Sequence, residues 1–254
     1  MAETELASDA ELRSAQANSF GAAASTYERA RPTYPDDAVD WLLPDGTPKV
    51  VDLGAGTGKL TRVIAARGIE VTAVEPSAGM LERLRQALPG VPALQGSAEQ
   101  LPIDDSSVDA VLVGQAWHWV DVPRASAEVA RVLKPGGRLG LVWNHRDDRV
   151  DWVRELTEIT SQGVDHNDMD PSNPPFGDEF GQIEYFVTEW HAPMTPAGLQ
   201  ELIASRSYFI VASEHERAEM TVAIEDLLEH HPQLAGRDRF DLPYLTYASR
   251  AHVA

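Results

Sequence analysis

The chain has 254 residues, 43% of them hydrophobic and 24% charged, the balance of an ordinary globular protein with a sizeable core. Forty acidic residues against 21 basic ones leave a formal charge of −19, a field that repels phosphate backbones and argues against a nucleic-acid partner. The absence of cysteine excludes disulfides, thiolate metal sites and a cysteine nucleophile.

No run approaches the roughly 20 apolar residues needed to span a bilayer. The start, Met1-Ala-Glu-Thr-Glu, lacks the basic and apolar regions of a secretory signal. A cytoplasmic protein without membrane insertion is therefore expected.

Residues 1–17 read as an acidic start or a short helix. Residues 18–48 carry aromatic and proline punctuation, Phe20, Tyr27 and Arg31-Pro32-Thr33-Tyr34-Pro35, then a helical run to Leu43 and a turn at Pro44-Asp45-Gly46. Val50 to Leu53 is an apolar run ending in glycines, a first strand. Lys59 to Arg67 has Leu60, Val63 and Ile64 at helical spacing. Ile69 to Val74 is a second strand. Ser77 is a plausible N-cap for a helix carrying Met80, Leu81, Leu84 and Leu88. Ala93-Leu94 is a short third strand and Val108 to Val113 a fourth. A helix over Ala125 to Leu133 leads through a turn at Lys134-Pro135-Gly136-Gly137 to a fifth strand, Arg138 to Trp143.

Alternating strands and helices, with strands apolar almost throughout, predict a parallel, doubly wound sheet covered on both faces. Its ligands bind along the carboxyl edge of the strands. Beyond 145 the pattern loosens. Asp151 to Ile159 is helical, and residues 163–181 are rich in Asp, Asn, Pro and Gly. Ile183 to Trp190 and Leu242 to Ser249 read as strands six and seven, with helices near 196–205 and 214–230.

The strongest signal is Val51-Asp52-Leu53-Gly54-Ala55-Gly56-Thr57-Gly58, between the first strand and the first helix after it. Glycines there let the backbone turn tightly and approach a ligand. A dinucleotide fingerprint would read G-x-G-x-x-G, but Lys59 stands where its third glycine belongs. A P-loop is excluded, since no G-K-[ST] follows. Glu75 closes the second strand about 20 residues on, where a carboxylate accepts ribose hydroxyls in more than one enzyme class.

These segments resemble the class I S-adenosylmethionine (AdoMet)-dependent methyltransferases of the type 11 group, over roughly residues 18–145. VVDLGAGTGKLT resembles the family's first motif, VTAVEPSAGML the second, GSAEQLP the third, VDAVLVGQAWHWVD the fourth strand and its loop, and EVARVLKPGGRLGLVWN the fifth-strand signature. The resemblance implies AdoMet as cofactor, held by Gly54, Ala55, Gly56, Thr57, Gly58, Glu75 at the ribose, Met80 near the adenine, and Ser97, Ala98, Glu99 and Gln115. Many relatives carry Asp where this chain has Ser97. YERARPTYP resembles an N-terminal portion that covers the cofactor's methionine end in a subset of the family. That makes Tyr27, Arg31 and Tyr34 candidates, with Arg31 suited to a carboxylate; the alternative is that the aromatics pack a helix and Arg31 lies on the surface.

Methyl transfer from a sulfonium needs positioning and water exclusion, and an alcohol acceptor also needs a base. His118, between Trp117 and Trp119 after the fourth strand, leads as base, with the two tryptophans as walls of an acceptor pocket. His145, after the fifth strand, is the second candidate. His230-His231 reads as structural. No metal is expected: Asp165, His166, Asn167, Asp168 and Asp170 group hard ligands in one loop, which reads more simply as a solvated acidic loop.

The expected fold is α/β, a doubly wound, seven-stranded, Rossmann-like sheet, mostly parallel with its last strand antiparallel, and an α-helical cap. Residues 1–48 form an N-terminal helical lid, 49–145 the AdoMet-binding core, 146–182 the cap and 183–254 the completion of the sheet. The expected function is AdoMet-dependent methylation (class 2.1.1) of a small molecule, with O-methylation of a hydroxyl or carboxylate leading. The alternatives are an NAD-dependent oxidoreductase and a non-catalytic AdoMet-binding protein.

Overall fold

The computed structural model describes residues 31–46, 48–160 and 170–254. In chain order the elements are α1 (Asp36–Leu42), β1 (Lys49–Leu53), α2 (Lys59–Ala65), β2 (Glu70–Glu75), α3 (Ala78–Ala87), β3 (Ala93–Gln95), β4 (Val108–Gly114), α4 (Val122–Val132), β5 (Leu133–Arg146), α5 (Asp151–Thr160), β6 (Glu184–Met194), α6 (Pro196–Ala204), α7 (Ser207–Val211), α8 (Glu214–His230) and β7 (Phe240–His252). The seven strands form one sheet in the order β3-β2-β1-β4-β5-β7-β6. β1 to β5 are parallel, with Val50 opposite Val71 on one side and Ala110 on the other, and β7 is antiparallel. The doubly wound, Rossmann-like sheet expected from the sequence is present, including its antiparallel strand.

The chain divides into two compact units. Among the described residues, the larger comprises 33–46, 48–145, 170–189 and 245–254. Its strands are apolar on both faces because helices cover both. Val51, Leu53, Val111, Val113, Leu139, Leu141 and Trp143 point to one face and pack with Val129 and Val132 of α4. Val50, Ala110, Leu112 and Val142, one residue out of phase, pack on the other with Leu60 and Ile64 of α2 and Val39 and Leu42 of α1. This period-two partition of continuous apolar runs is what a covered parallel sheet requires.

Among the described residues, the second unit comprises 31–32, 146–160 and 190–244. Its core joins Trp152, Val153 and Leu156 of α5, Leu199, Leu202 and Ile203 of α6, Ile224 and Leu227 of α8, and Leu242 and Tyr244 of β7. Helix α8 starts with a capping box, Ser213 accepting from the Glu216 N–H while the Glu216 side chain accepts from the Ser213 N–H. β6 is an edge strand, so Pro193, which has no N–H to donate, is tolerated within it.

Three local expectations change. β5 starts at Leu133, not Arg138, because the expected Lys134–Gly137 turn is extruded as a bulge inside the strand. Val108 pairs with Leu133 and Ala110 with Arg138, so an advance of two residues on β4 matches five on β5. Gly136 takes φ +77°, and Lys134 Nζ holds Asp109 Oδ1 at 2.9 Å. Ser77 sits at the N-cap of α3, yet its side chain makes no capping bond. α7 also lacked a periodic signal, its five residues being too short for one.

Candidate active site

The loop after β1 carries Gly54, Gly56 and Gly58 at φ +68°, +57° and +90°. Two of these glycines also answer to packing. A Cβ on Gly54 would stand 2.7 Å from the Cβ of Ala116, so this loop and the one after β4 are pressed together. A Cβ on Gly58 would meet Leu84 Cγ at 3.0 Å and Leu88 Cδ1 at 3.1 Å, which lets α3 close over the loop. Ala55 and Thr57 are buried between them. Met80, also buried, brings its Sδ to 3.8 Å from where a Gly56 side chain would begin.

Glu75, the last residue of β2, is 5% exposed. Its Oε2 accepts from the Gly56 N–H at 2.8 Å and its Oε1 from the Ser77 N–H at 2.9 Å. Burial raises its pKa, and the two N–H bonds oppose that shift. The carboxylate is thus clamped against the glycine loop in one orientation. Each oxygen spends one acceptor position and keeps another. Beside it lies a pocket of about 470 Å³ lined by Pro76, Gln95, Gly96, Ser97, Gln100, Leu101 and Pro102. Ser97 is half-buried there, Ala98 is buried, and Glu99 faces elsewhere with one oxygen, accepting from the Asp121 N–H at 3.0 Å.

Asp52 is a feature that the sequence reading passed over. It interrupts an otherwise apolar strand and lies 1% exposed on the α2 face, where Thr61 Oγ1 donates to its Oδ2 at 2.5 Å. Its Oδ1 is buried without a hydrogen-bond partner, as is Thr57 Oγ1. Burial, with a smaller push from Glu75, raises the Asp52 pKa to about 7. The native state therefore holds a proton that the unfolded chain releases near 3.8, and stability falls as pH rises between those values. Asp52→Asn keeps an acceptor for Thr61 and removes the buried charge. It is expected to stabilise the protein at pH 8 by up to a few kcal/mol, at about 1.4 kcal/mol per pKa unit, with the gain shrinking toward pH 5. Denaturant midpoints across that range check it; a gain that grows as pH falls rules it out.

After β4 the chain enters a constrained turn. Gln115 adopts φ +60°, donates its N–H to Val142 O at 2.9 Å and its Nε2 to Asn144 O at 3.1 Å. A single 3-10 turn follows over Trp117–Trp119. Trp117 is fully buried in the core and donates Nε1 to Pro175 O at 2.8 Å, so it anchors the turn and does not wall a pocket as expected. His118 is half-buried, its ring tilted on Trp119 at 4.6 Å. His145, near the end of β5, is half-buried and meets the Tyr247 ring edge-on at 5.7 Å. Asn144, next to His145 in the chain, is buried, with Oδ1 accepting from Thr246 at 2.6 Å and Nδ2 donating to Thr33 O at 3.0 Å. No short motif announced this junction, because its partners lie as far as 111 residues apart.

Glycine loop, Glu75, Met80, Ser97, Ala98, Glu99, Gln115, His118 and His145 all belong to the larger unit. Tyr34 does too; it is buried, with its hydroxyl filling the space that a side chain on Gly114 would need. Arg31 belongs to the second unit, where its Nη2 donates to Ser205 O at 3.1 Å. Tyr27, and the hard ligands Asp165, His166, Asn167 and Asp168, lie outside the described residues. Asp170 is exposed and accepts from Ser172 Oγ at 2.6 Å. Among the described residues no three candidate ligands group around a metal position, and no helix is long and apolar enough to cross a membrane.

The methyltransferase domain family of type 11 matches residues 51–141, the span that carries the glycine loop, Glu75 and His118. An uncharacterized methyltransferase of Mycobacterium tuberculosis is 51% identical over 238 residues, covering 93% of this chain and 96% of that protein. A malonyl-[acyl-carrier protein] O-methyltransferase of Serratia marcescens is 35% identical over 136 residues, about half of each chain at 52% and 53%. A solved structure from Anaeromyxobacter dehalogenans, provisionally assigned as a type II methyltransferase, superposes with TM-score 0.64 at 23% identity over 88% of this chain and 97% of that one, and shares its fold. The antiparallel β7 between β5 and β6 also departs from the six-stranded order of the dinucleotide-binding fold, which removes the nicotinamide alternative. The chain belongs to the type 11 methyltransferase family and is an AdoMet-dependent methyltransferase.

Proposed function

We propose that this methyltransferase grips AdoMet between the glycine loop and Glu75 and methylates an oxygen, hydroxyl or carboxylate, of a small molecule. The observation that carries the reading is the Glu75 carboxylate, fixed by the Gly56 and Ser77 N–H groups with an acceptor position left on each oxygen. Those positions suit the two ribose hydroxyls. The pocket at Ser97 and Gln100 suits the adenine, and Met80 stands against Gly56 of the glycine loop. Asp52 Oδ1 and Thr57 Oγ1 are buried polar atoms awaiting partners at the same loop. When bound, the cofactor supplies an activated methyl group on a sulfonium.

The chain's own residues have three tasks. The β1 loop and Glu75 orient the nucleoside. The turn after β4, pinned by Trp117, holds His118 in place to take the proton of a hydroxyl acceptor. His145 is the second candidate for that proton. The charge of −19 disfavours polyanionic substrates such as nucleic acid, and the absence of cysteine suits the cytoplasm. The O-methyltransferase activity of the Serratia protein, related over half the chain, supports oxygen as acceptor.

Calorimetric titration with S-adenosylhomocysteine tests the cofactor site. Incubation of AdoMet with matched hydroxyl, carboxylate, amine and thiol acceptors, read as a mass gain of about 14 Da, tests the acceptor atom. Transfer to nitrogen or sulfur but not to oxygen overturns the oxygen assignment.

A further inference from the structure

The segment between β3 and β4 walls the pocket beside Glu75 through Gly96, Ser97, Gln100, Leu101 and Pro102, yet it is irregular. A segment without ladder bonds must satisfy its backbone elsewhere. It does so along α4, which belongs to the same compact unit. At one end Glu99 accepts from the Asp121 N–H, at the N-cap of α4, at 3.0 Å. In the middle Glu128 Oε1 accepts from the Leu101 N–H at 2.8 Å. Arg131, one turn further along the helix, donates to Leu101 O at 3.2 Å and Ile103 O at 3.0 Å, and pairs with Asp105. At the far end the N–H groups of Ser106 and Ser107 donate to Arg131 O and Val132 O, both at 2.9 Å.

Glu128 and Arg131 also fix each other. Arg131 Nε donates to Glu128 Oε2 at 2.9 Å and Nη2 to Oε1 at 2.7 Å, the bidentate fork that holds both side chains in one geometry. Arg131 holds the Glu128 carboxyl below the usual carboxylate range, so it stays an acceptor. An exposed ion pair such as Arg154–Asp151 on α5 contributes little. This pair differs because its contacts continue onto loop backbone. Both the N–H and the C=O of Leu101 are taken, while its side chain is buried in the core. Pro102 follows directly, and a Cβ on Gly96 would stand 2.6 Å from Pro102 Cδ. A shift at Leu101 therefore moves Pro102 and Gly96 as well, two further walls of the pocket.

We propose that Glu128 and Arg131, neither of which lines the pocket, are positioning residues for the cofactor's base: from α4 they hold Leu101, and through it the Gly96–Pro102 wall, in the shape that binds adenine. This rests on the cofactor reading above and adds the residues that set the wall.

The test titrates the full chain calorimetrically with S-adenosylhomocysteine and with methylthioadenosine, which keeps the nucleoside but lacks the amino-acid tail. Arg131→Met and Glu128→Leu are each expected to weaken both ligands by at least about tenfold, and by the same factor for the two ligands. Glu128→Gln, whose carbonyl oxygen can still accept from Leu101, should recover affinity to within about threefold of the parent. Arg154→Met, which breaks the comparison pair on α5, should leave both affinities within about twofold. Hydrogen exchange supplies a readout that needs no ligand: the Leu101 N–H should exchange at least about tenfold faster in Glu128→Leu, with β1 amides unchanged. Parental affinity in folded Arg131→Met and Glu128→Leu proteins overturns the role. So does a loss for S-adenosylhomocysteine that spares methylthioadenosine, or a loss without faster exchange at Leu101. A parent chain that binds neither ligand defeats the cofactor reading and this role with it, whereas variants that bind as well as a binding parent defeat this role alone.

Discussion

Glu75→Ala is expected to weaken S-adenosylhomocysteine binding by at least about a hundredfold. Each hydrogen bond to a charged acceptor contributes about 1.5–3 kcal/mol. Two ribose hydroxyls on one carboxylate therefore place the loss at about 3–6 kcal/mol, or roughly 10²–10⁴ in Kd. The variant also strands the Gly56 and Ser77 N–H groups that Glu75 now satisfies. Some loss of stability accompanies the lost affinity, and denaturant unfolding must be read beside the calorimetry. Glu75→Gln separates the two effects. It keeps the volume but turns an amide N–H₂ toward one of the two N–H donors, so binding falls with less structural loss. A pH series adds an independent signature. Burial raises the Glu75 pKa, so the acceptor is lost as pH falls through that raised value, and affinity should decline toward acid before an exposed carboxylate would cause it. Near-parental affinity for a folded Glu75→Ala protein would remove the ribose assignment and the nucleoside site with it.

His118→Ala is expected to lower kcat for a hydroxyl acceptor by about 10²–10⁴, the usual contribution of a positioned general base. S-adenosylhomocysteine affinity should stay close to the parent's, because the glycine loop and Glu75, the proposed nucleoside site, are intact. The turn over Trp117–Trp119 is pinned through the buried Trp117, and its indole bond to Pro175 O does not depend on the His118 ring. For a carboxylate acceptor, already ionised at neutral pH, the same change should cost far less. The contrast between acceptors separates a base from a residue that merely packs on Trp119. Loss of the acidic limb of the kcat pH profile in His118→Ala is the second signature. His145→Ala is the comparison: if it shows the large acceptor-dependent loss and His118→Ala does not, the base is His145.

The elements proposed to position the cofactor were legible because their signals are local. Strand β1, the glycine loop and α2 are contiguous in the chain, and Glu75 ends the next strand. A parallel sheet covered on both faces makes each strand an apolar run, and α2 and α3 keep helical spacing where they meet it. Asp52 was visible as an acid inside such a run, yet its burial and raised pKa depend on α2 and Glu75 closing around it. His118 was placed after the correct strand, while the fate of its neighbours was not: Trp117 went to the core because Pro175, 58 residues on, supplies its acceptor.

The amino-acid order by itself determined the alternation of elements, the tight glycine turn and the acid one crossover later, since propensity, periodicity and φ act over a few residues. Only the tertiary structure decided which long-range partners meet. It set the extruded turn in β5 through pairing with β4, and the junction of Asn144 with Thr33 and Thr246. Burial and charge belong to assembled neighbours and have no period in a sequence, so these features emerge only once the core has closed.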